Sequence, residues 1–157
     1  MGDMTASRRD MLRWAVAVPA LIATGARAED AASVVVFRDP GCGCCHKWVT
    51  HLEANGFVVT VHDTPDMTAV KTRLGVPREL ASCHTAEIGG YVIEGHVPAV
   101  AIRRLMAEKP QGRGLAVPGM PAGSPGMEGG APVTYEVLLF GAGAPTSFGR
   151  FREDKAV

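Results

Sequence analysis

Apolar residues along the chain fall into short runs whose spacing switches between strand and helix. Val34-Val35-Val36-Phe37 is a continuous apolar run, the pattern of a strand buried on both faces. Asp39-Pro40-Gly41 turns the chain. Trp48, Val49 and Leu52 then lie at i, i+1 and i+4, which predicts a helix over residues 45–55 stopped by Asn55-Gly56. Residues 57–61 form a second β-branched run. Thr64-Pro65-Asp66 opens a helix that runs through Ala69, Val70 and Leu74 to Gly75. A strand–helix–strand unit of this length implies parallel strands joined by a right-handed crossover.

Gly89-Gly90 is a two-residue hairpin turn between residues 85–88 and 91–94. Ladder pairing sets 88 opposite 91, 86 opposite 93 and 84 opposite 95, and so brings Cys83 alongside His96. His84, by strand alternation, points to the other face. Val97-Pro98 starts a helix marked by Val100, Ala101 and Leu105, which stops by Lys109-Pro110. Residues 112–132 read as a Gly/Pro-rich loop, and residues 135–140 and 147–151 as a closing antiparallel hairpin around 141–145. The order is β-α-β, then α with an inserted β-hairpin, then α, then a C-terminal antiparallel β-hairpin. This is an α/β, thioredoxin-like arrangement. In that arrangement a proline stands before a strand facing the cysteines, and Pro121 and Pro132 are the candidates.

Residues 1–28 read as an address. Ser7-Arg8-Arg9-Asp10-Met11-Leu12 matches the twin-arginine export pattern, and Ala26-Arg27-Ala28 is a small-x-small cleavage site. The apolar stretch between them is too short to span a bilayer, which needs ~20 residues, so no membrane anchor is expected after cleavage. Residues 29–157 then form a single exported, periplasmic domain. The whole chain is formally neutral, with 16 basic and 16 acidic residues. The leader holds Arg8, Arg9, Arg13 and Arg27, so the remainder has a small acidic excess. No basic run interleaved with aromatics is present, which excludes a nucleic-acid partner.

The chemistry lies in the four cysteines. Cys42, Cys44 and Cys45 sit on the turn between the first strand and the first helix. A helix N-terminus favours thiolate, which is both the nucleophile of disulfide exchange and a ligand for soft metals. An even cysteine count in an exported chain first suggests two disulfides. A vicinal Cys44–Cys45 bridge fits disulfide geometry poorly. A Cys42–Cys45 bridge is an ordinary C-x-x-C arrangement, leaving Cys44 and Cys83 to pair or to stay free. Three clustered thiols serve a metal better than a staple. Pro118-Gly119-Met120 and Pro125-Gly126-Met127 place two thioethers in stiff turns with no helix or strand to give them a core face, so they read as ligands. Thiolate and thioether select Cu(I), whereas three thiolates and a histidine also suit zinc. His51 lies ~9 Å of helical rise beyond Cys45 and reads as structural.

The string Cys42-Gly43-Cys44-Cys45, Lys47-Trp48, His51-Leu52, Ser82-Cys83-His84-Thr85, Glu94-Gly95-His96-Val97-Pro98 and the two Pro-Gly-Met segments resembles the CopG-type family of periplasmic copper-resistance proteins. The resemblance spans roughly residues 33 to 152. It implies a thioredoxin-like fold and a role in copper resistance and homeostasis. Copper would be bound by Cys42, Cys44, Cys45, Cys83, His96, Met120 and Met127, with interconversion of Cu(I) and Cu(II) and a place among other periplasmic copper-handling proteins. His46 is not carried over as a ligand. A thiol–disulfide oxidoreductase using Cys42 and Cys45 is the competing reading; the extra Cys44 and the methionine loop are features that exchange chemistry does not need.

Overall fold

The computed structural model describes residues 32–157, so the expected leader and its cleavage site lie outside the described residues. The first strand, β1 (Ser33–Arg38), is followed by helix α1 (Gly43–Ala54) and strand β2 (Val58–Asp63). Helix α2 (Met67–Leu74) and a 3-10 turn (Arg78–Leu80) lead into strands β3 (His84–Ile88) and β4 (Tyr91–Glu94). Helix α3 (Ala99–Glu108), strand β5 (Gly114–Ala116) and strands β6 (Thr134–Gly141), β7 (Gly143–Arg152) and β8 (Lys155–Ala156) complete the chain. Local signals act where the sequence places them. The Asp66 side chain accepts the Ala69 amide at 2.9 Å, and Gly75 ends α2 in the left-handed region at φ 72°.

The eight strands among the described residues form one sheet in the order β2-β1-β3-β4-β5-β6-β7-β8. The pairs β1·β2 and β4·β5 are parallel, and the remaining neighbours are antiparallel. Apolar side chains fill both faces. On one, Trp48 and Leu52 of α1 and Ile102 and Leu105 of α3 pack with Val34, Val36, Ile93, Leu115 and Val137. On the other, Leu74 and Leu80 pack with Val92, Ala116 and Phe140. The molecule is therefore a mixed α/β sheet covered by helices on both sides, which accounts for the unbroken apolar run of β1.

The sheet differs from the sequence expectation in its middle and at its C-terminal end, where β7 already begins at Gly143 and β8 is added. The β3–β4 hairpin is no insertion: β3 pairs directly with β1, so the hairpin occupies the middle of the sheet. Residues 112–132 are not all loop, because Gly114-Leu115-Ala116 form β5 between β4 and β6. A three-residue strand is too short to leave a period. Gly114 is also packed so closely on β4 that a Cβ there would lie 1.7 Å from the Val92 carbonyl oxygen. Glycine is needed at that position for contact, whereas in the sequence it reads as a turn signal.

The topology positions the chemistry. Arg38, the last residue of β1, pairs with His84, the first of β3. The turn after β1 and the segment before β3 therefore meet at one end of the sheet. The hairpin register pairs Thr85 with Glu94, and the Gly95 amide donates to the His84 carbonyl at 3.0 Å. That brings the residues after β4 to the same end.

Candidate metal centre

Cys42 caps α1 in an extended conformation, and its amide donates to the Asp39 carbonyl at 3.1 Å. The Asp39 side chain accepts the Gly41 amide at 2.8 Å, a local turn that aims the cysteines at the start of the helix. Cys42 and Cys45 are joined by a disulfide, and Cys44 and Cys83 are free thiols. The Cys44 sulfur lies 3.5 Å from that of Cys42 and 3.7 Å from that of Cys83. The four sulfurs all fall within 4.8 Å of one another.

Nitrogen donors adjoin the sulfurs. Cys83 Sγ is 3.1 Å from His96 Nε2 and 3.4 Å from His84 Nδ1. His96 and His84 are both fully buried. His96 Nδ1 is 2.8 Å from the Pro125 carbonyl, a partner that can only accept. The proton therefore sits on Nδ1 and the Nε2 lone pair faces the cysteine, the outer-shell arrangement usual for a metal-binding imidazole. His84 packs against the Trp48 ring at 4.3 Å between centroids and edge-on to His96 at 5.0 Å.

Burial sets the protonation states. It pushes the Cys83 thiol up to about 11, with the neighbouring Cys44 adding to the rise and the Ser82 hydroxyl opposing it. Burial also lowers the imidazoles of His96 and His84, and for His84 the facing His96 and Lys71 lower it further. With the Cys42–Cys45 bond formed, Cys83 is thus a protonated thiol between two neutral rings at pH 7.

The segment carrying Cys83 is held from below by Glu94, a buried carboxylate. It accepts from the Ser82 amide at 2.6 Å, from Thr85 Oγ1 at 2.6 Å and from Lys71 Nζ at 2.5 Å. Gly95, at φ 71°, passes so close that a Cβ would lie 2.6 Å from the Ser82 side chain. From above, the Gly/Pro-rich loop closes on the site at two points. The Gly119 carbonyl accepts the Ser82 hydroxyl at 2.5 Å, and the Pro125 carbonyl takes His96. Gly126, at φ 92°, lies against α1, where a Cβ would be 2.7 Å from the Cys44 carbonyl oxygen.

Of the residues expected at the site, Cys42, Cys44, Cys45, Cys83 and His96 come together. Met120 and Met127 directly follow Gly119 and Gly126 of that loop, Met120 being exposed and Met127 half-buried. His51 is structural: its Nε2 accepts the Ala99 amide at the start of α3 at 3.1 Å. His46 turns back to the Cys42 carbonyl at 2.9 Å. His84 also meets Cys83, although strand alternation across Cys83 predicts the opposite face for it. Cys83 lies before β3, so alternation does not govern it. The proline expected ahead of the strand nearest the thiols is also absent. Ser82-Cys83 occupies that place, Pro132 precedes β6, and Pro121 lies in the loop.

Two solved structures of copper resistance protein CopG, forms 2 and 1, are each 48% identical to this chain. Each alignment covers 78% of this chain and 99% or 98% of the other, with TM-scores of 0.74 and 0.73. The chain belongs to the CopG family. A family model described as a protein of unknown function, DUF411, matches residues 80–127. That span runs from the segment ahead of Cys83 to Met127 within the Gly/Pro-rich loop, and leaves out Cys42, Cys44 and Cys45. No curated protein matches the chain.

Proposed function

We propose that this chain is a periplasmic copper-binding protein of copper resistance, which holds Cu(I) through Cys42, Cys44, Cys45 and Cys83 with His96 beside them and with thioethers from Met120 and Met127. The observation that carries this reading is the convergence of four sulfurs within 4.8 Å, beside an imidazole whose free lone pair faces Cys83. The donor set fits the ion: thiolates and thioethers are soft, and soft ligands select Cu(I) over harder, more hydrated ions. Bound copper would supply one-electron redox chemistry, and interconversion of Cu(I) and Cu(II) is part of the proposal. The family resemblance to proteins named for copper resistance supports the physiological role.

The protein's own residues set two conditions on loading. The Cys42–Cys45 disulfide ties up two of the four sulfurs, so a full thiolate set requires its two-electron reduction. Cys83 must lose its proton, so binding releases protons and strengthens as pH rises. The strand order β2-β1-β3-β4, with a C-x-x-C at the start of α1, supports a thioredoxin-like core extended by β5–β8. The Arg8-Arg9 pair supports twin-arginine export with cleavage after Ala28. Among the described residues no helix is long and apolar enough to cross a membrane. Fractionation after Arg8→Lys with Arg9→Lys tests the route; undiminished mature protein in the periplasm contradicts it.

The disulfide at the helix N-terminus favours a second reading, a thiol–disulfide oxidoreductase using Cys42 and Cys45. Metal analysis of protein purified anaerobically with its thiols reduced separates the two. Tightly bound copper supports the first reading. A metal-free protein that reduces insulin-type disulfides supports the second.

A further inference from the structure

Cys44 and Cys83 are the two free thiols of the chain, and they stand beside its Cys42–Cys45 disulfide. Cys44 Sγ lies 3.5 Å from the Cys42 sulfur on one side and 3.7 Å from the Cys83 sulfur on the other. The first distance is that of reacting atoms poised for attack, about 3–3.5 Å. The Cys83 side of the second contact is fixed, because Glu94 holds the Ser82 amide and Gly95 passes close to the Ser82 side chain. The Cys44 side has room to move: a Cβ on the neighbouring Gly43, in the first turn of α1, would meet nothing within 4 Å. Two thiols on separate segments thus adjoin a disulfide that takes two electrons to open.

We propose that Cys44 and Cys83 are an internal dithiol for the Cys42–Cys45 bond, reducing it by thiol–disulfide exchange and taking the disulfide over. The Cys44 sulfur attacks that of Cys42: a Cys42–Cys44 bond forms, the Cys42–Cys45 bond breaks, and Cys45 leaves as thiolate. The Cys83 sulfur then attacks that of Cys44: a Cys44–Cys83 bond forms and Cys42 leaves. The protons of the two starting thiols pass to the two leaving sulfurs. Cys44 and Cys83 are oxidised by two electrons, Cys42 and Cys45 are reduced by two, and no outside reagent is consumed. The fold directs the exchange. Cys42 and Cys45 are 3 residues apart, Cys44 and Cys83 39. In an unfolded chain the longer loop costs more entropy to close, so the local bond prevails there. In the folded chain β3 lies beside β1, and the distant pair is already assembled. Once the disulfide has moved, the C-x-x-C is a dithiol with Cys42 half-buried and Cys45 fully buried, a pair fitted to act on a protein disulfide presented to Cys42. The exchange requires no metal and goes beyond both readings above.

The test follows the linkage in the protein itself. Protein carrying the Cys42–Cys45 bond is freed of metal by a chelator, kept without oxygen at neutral pH, then acid-quenched at intervals, alkylated and digested with trypsin. Cleavage after Arg38, Lys47, Arg78 and Arg103 puts Cys42, Cys44 and Cys45 on one peptide and Cys83 on another, so a Cys44–Cys83 bond joins the two peptides. Joined peptides should arise at a rate independent of protein concentration, with the number of free thiols constant, and fragment ions should place the bond at Cys44. In urea the ratio should shift toward Cys42–Cys45 by about 10-fold or more, from loop length alone. Cys44→Ser should abolish the joined peptides, since it removes the sulfur that touches both Cys42 and Cys83. Any of four results overturns the proposal: linkage that stays wholly at Cys42–Cys45 in the folded protein, joined peptides that arise only as free thiols are lost, a ratio that urea does not move, or joined peptides as abundant in Cys44→Ser as in wild type.

Discussion

The Ser82 amide donates to the Glu94 carboxylate at 2.6 Å, and this bond ties the loop bearing Cys83 to the end of β4. Glu94 is wholly buried and is compensated by Lys71 and by the Thr85 hydroxyl. Removing it takes the acceptor from the Ser82 amide and leaves the Lys71 ammonium with the Thr85 hydroxyl alone. Glu94→Ala should therefore cost about 3 kcal/mol or more of stability, the scale of breaking a buried pair. It should also weaken metal binding, since Cys83 loses its support. Urea unfolding and Cu(I) competition check both effects. A variant as stable as wild type, with unchanged affinity, contradicts the positioning role.

His51, His84 and His96 are all held below the ordinary histidine value of 6.5, chiefly by burial. For a base lowered in the folded state, the unfolded chain takes up protons first as pH falls. The associated stability is complete above the unfolded value and is lost as pH drops through it toward the folded values. The metal-free protein should thus unfold at lower urea at about pH 5 than at about pH 7. His51 carries part of this dependence, because its Nε2 must stay unprotonated to accept the Ala99 amide. His51→Gln should flatten the profile without altering Cu(I) affinity. A profile of unchanged slope in that variant counts against the assignment.

The Cys83 thiol, pushed up to about 11 from an ordinary 9.0, should react slowly with alkylating reagents in the metal-free disulfide form. At pH 8 its thiolate fraction is on the order of 100-fold below that of an ordinary thiol. Mass mapping of alkylated peptides against pH measures it. Rapid modification of Cys83 near neutrality contradicts the burial argument.

Much of this centre was legible in the sequence. The Gly89-Gly90 turn fixes the hairpin register, and the observed pairs 88 with 91 and 86 with 93 follow from it, as does the meeting of Cys83 with His96. The position of Cys42, Cys44 and Cys45 at a helix N-terminus follows from the apolar stripe of Trp48, Val49 and Leu52. His84 and Glu94 were not legible, since each owes its role to burial at a junction of three chain segments, and burial of a polar residue leaves no periodic signal. Strand β5 was hidden for a related reason. Its three residues are defined by partners on both sides, while their composition is that of the loop around them.

Gly126 gives a prediction about that loop. A Cβ at this position would meet the Cys44 carbonyl at 2.7 Å and the Trp48 amide at 3.1 Å, and the backbone lies at φ 92°. Gly126→Ala should lift the loop from α1 and free His96 from the Pro125 carbonyl, at a cost of about 1–3 kcal/mol for the strained backbone. Loss of the tautomer lock should show in the His96 imidazole nitrogen shifts. A variant with wild-type stability and an unchanged His96 signal would mean that the loop is not seated as described.

The central claim is that four cysteines from two distant segments make one Cu(I) site. Cys83 is decisive, because a redox enzyme relying on Cys42 and Cys45 does not need it. Cu(I) affinity, measured anaerobically by competition with a chromophoric chelator, should fall by a factor on the order of 100 or more when Cys83→Ser replaces a soft thiolate with a hard hydroxyl. The far-UV spectrum should stay that of the folded protein. Equal Cu(I) affinity in wild type and in folded Cys83→Ser protein would contradict the account.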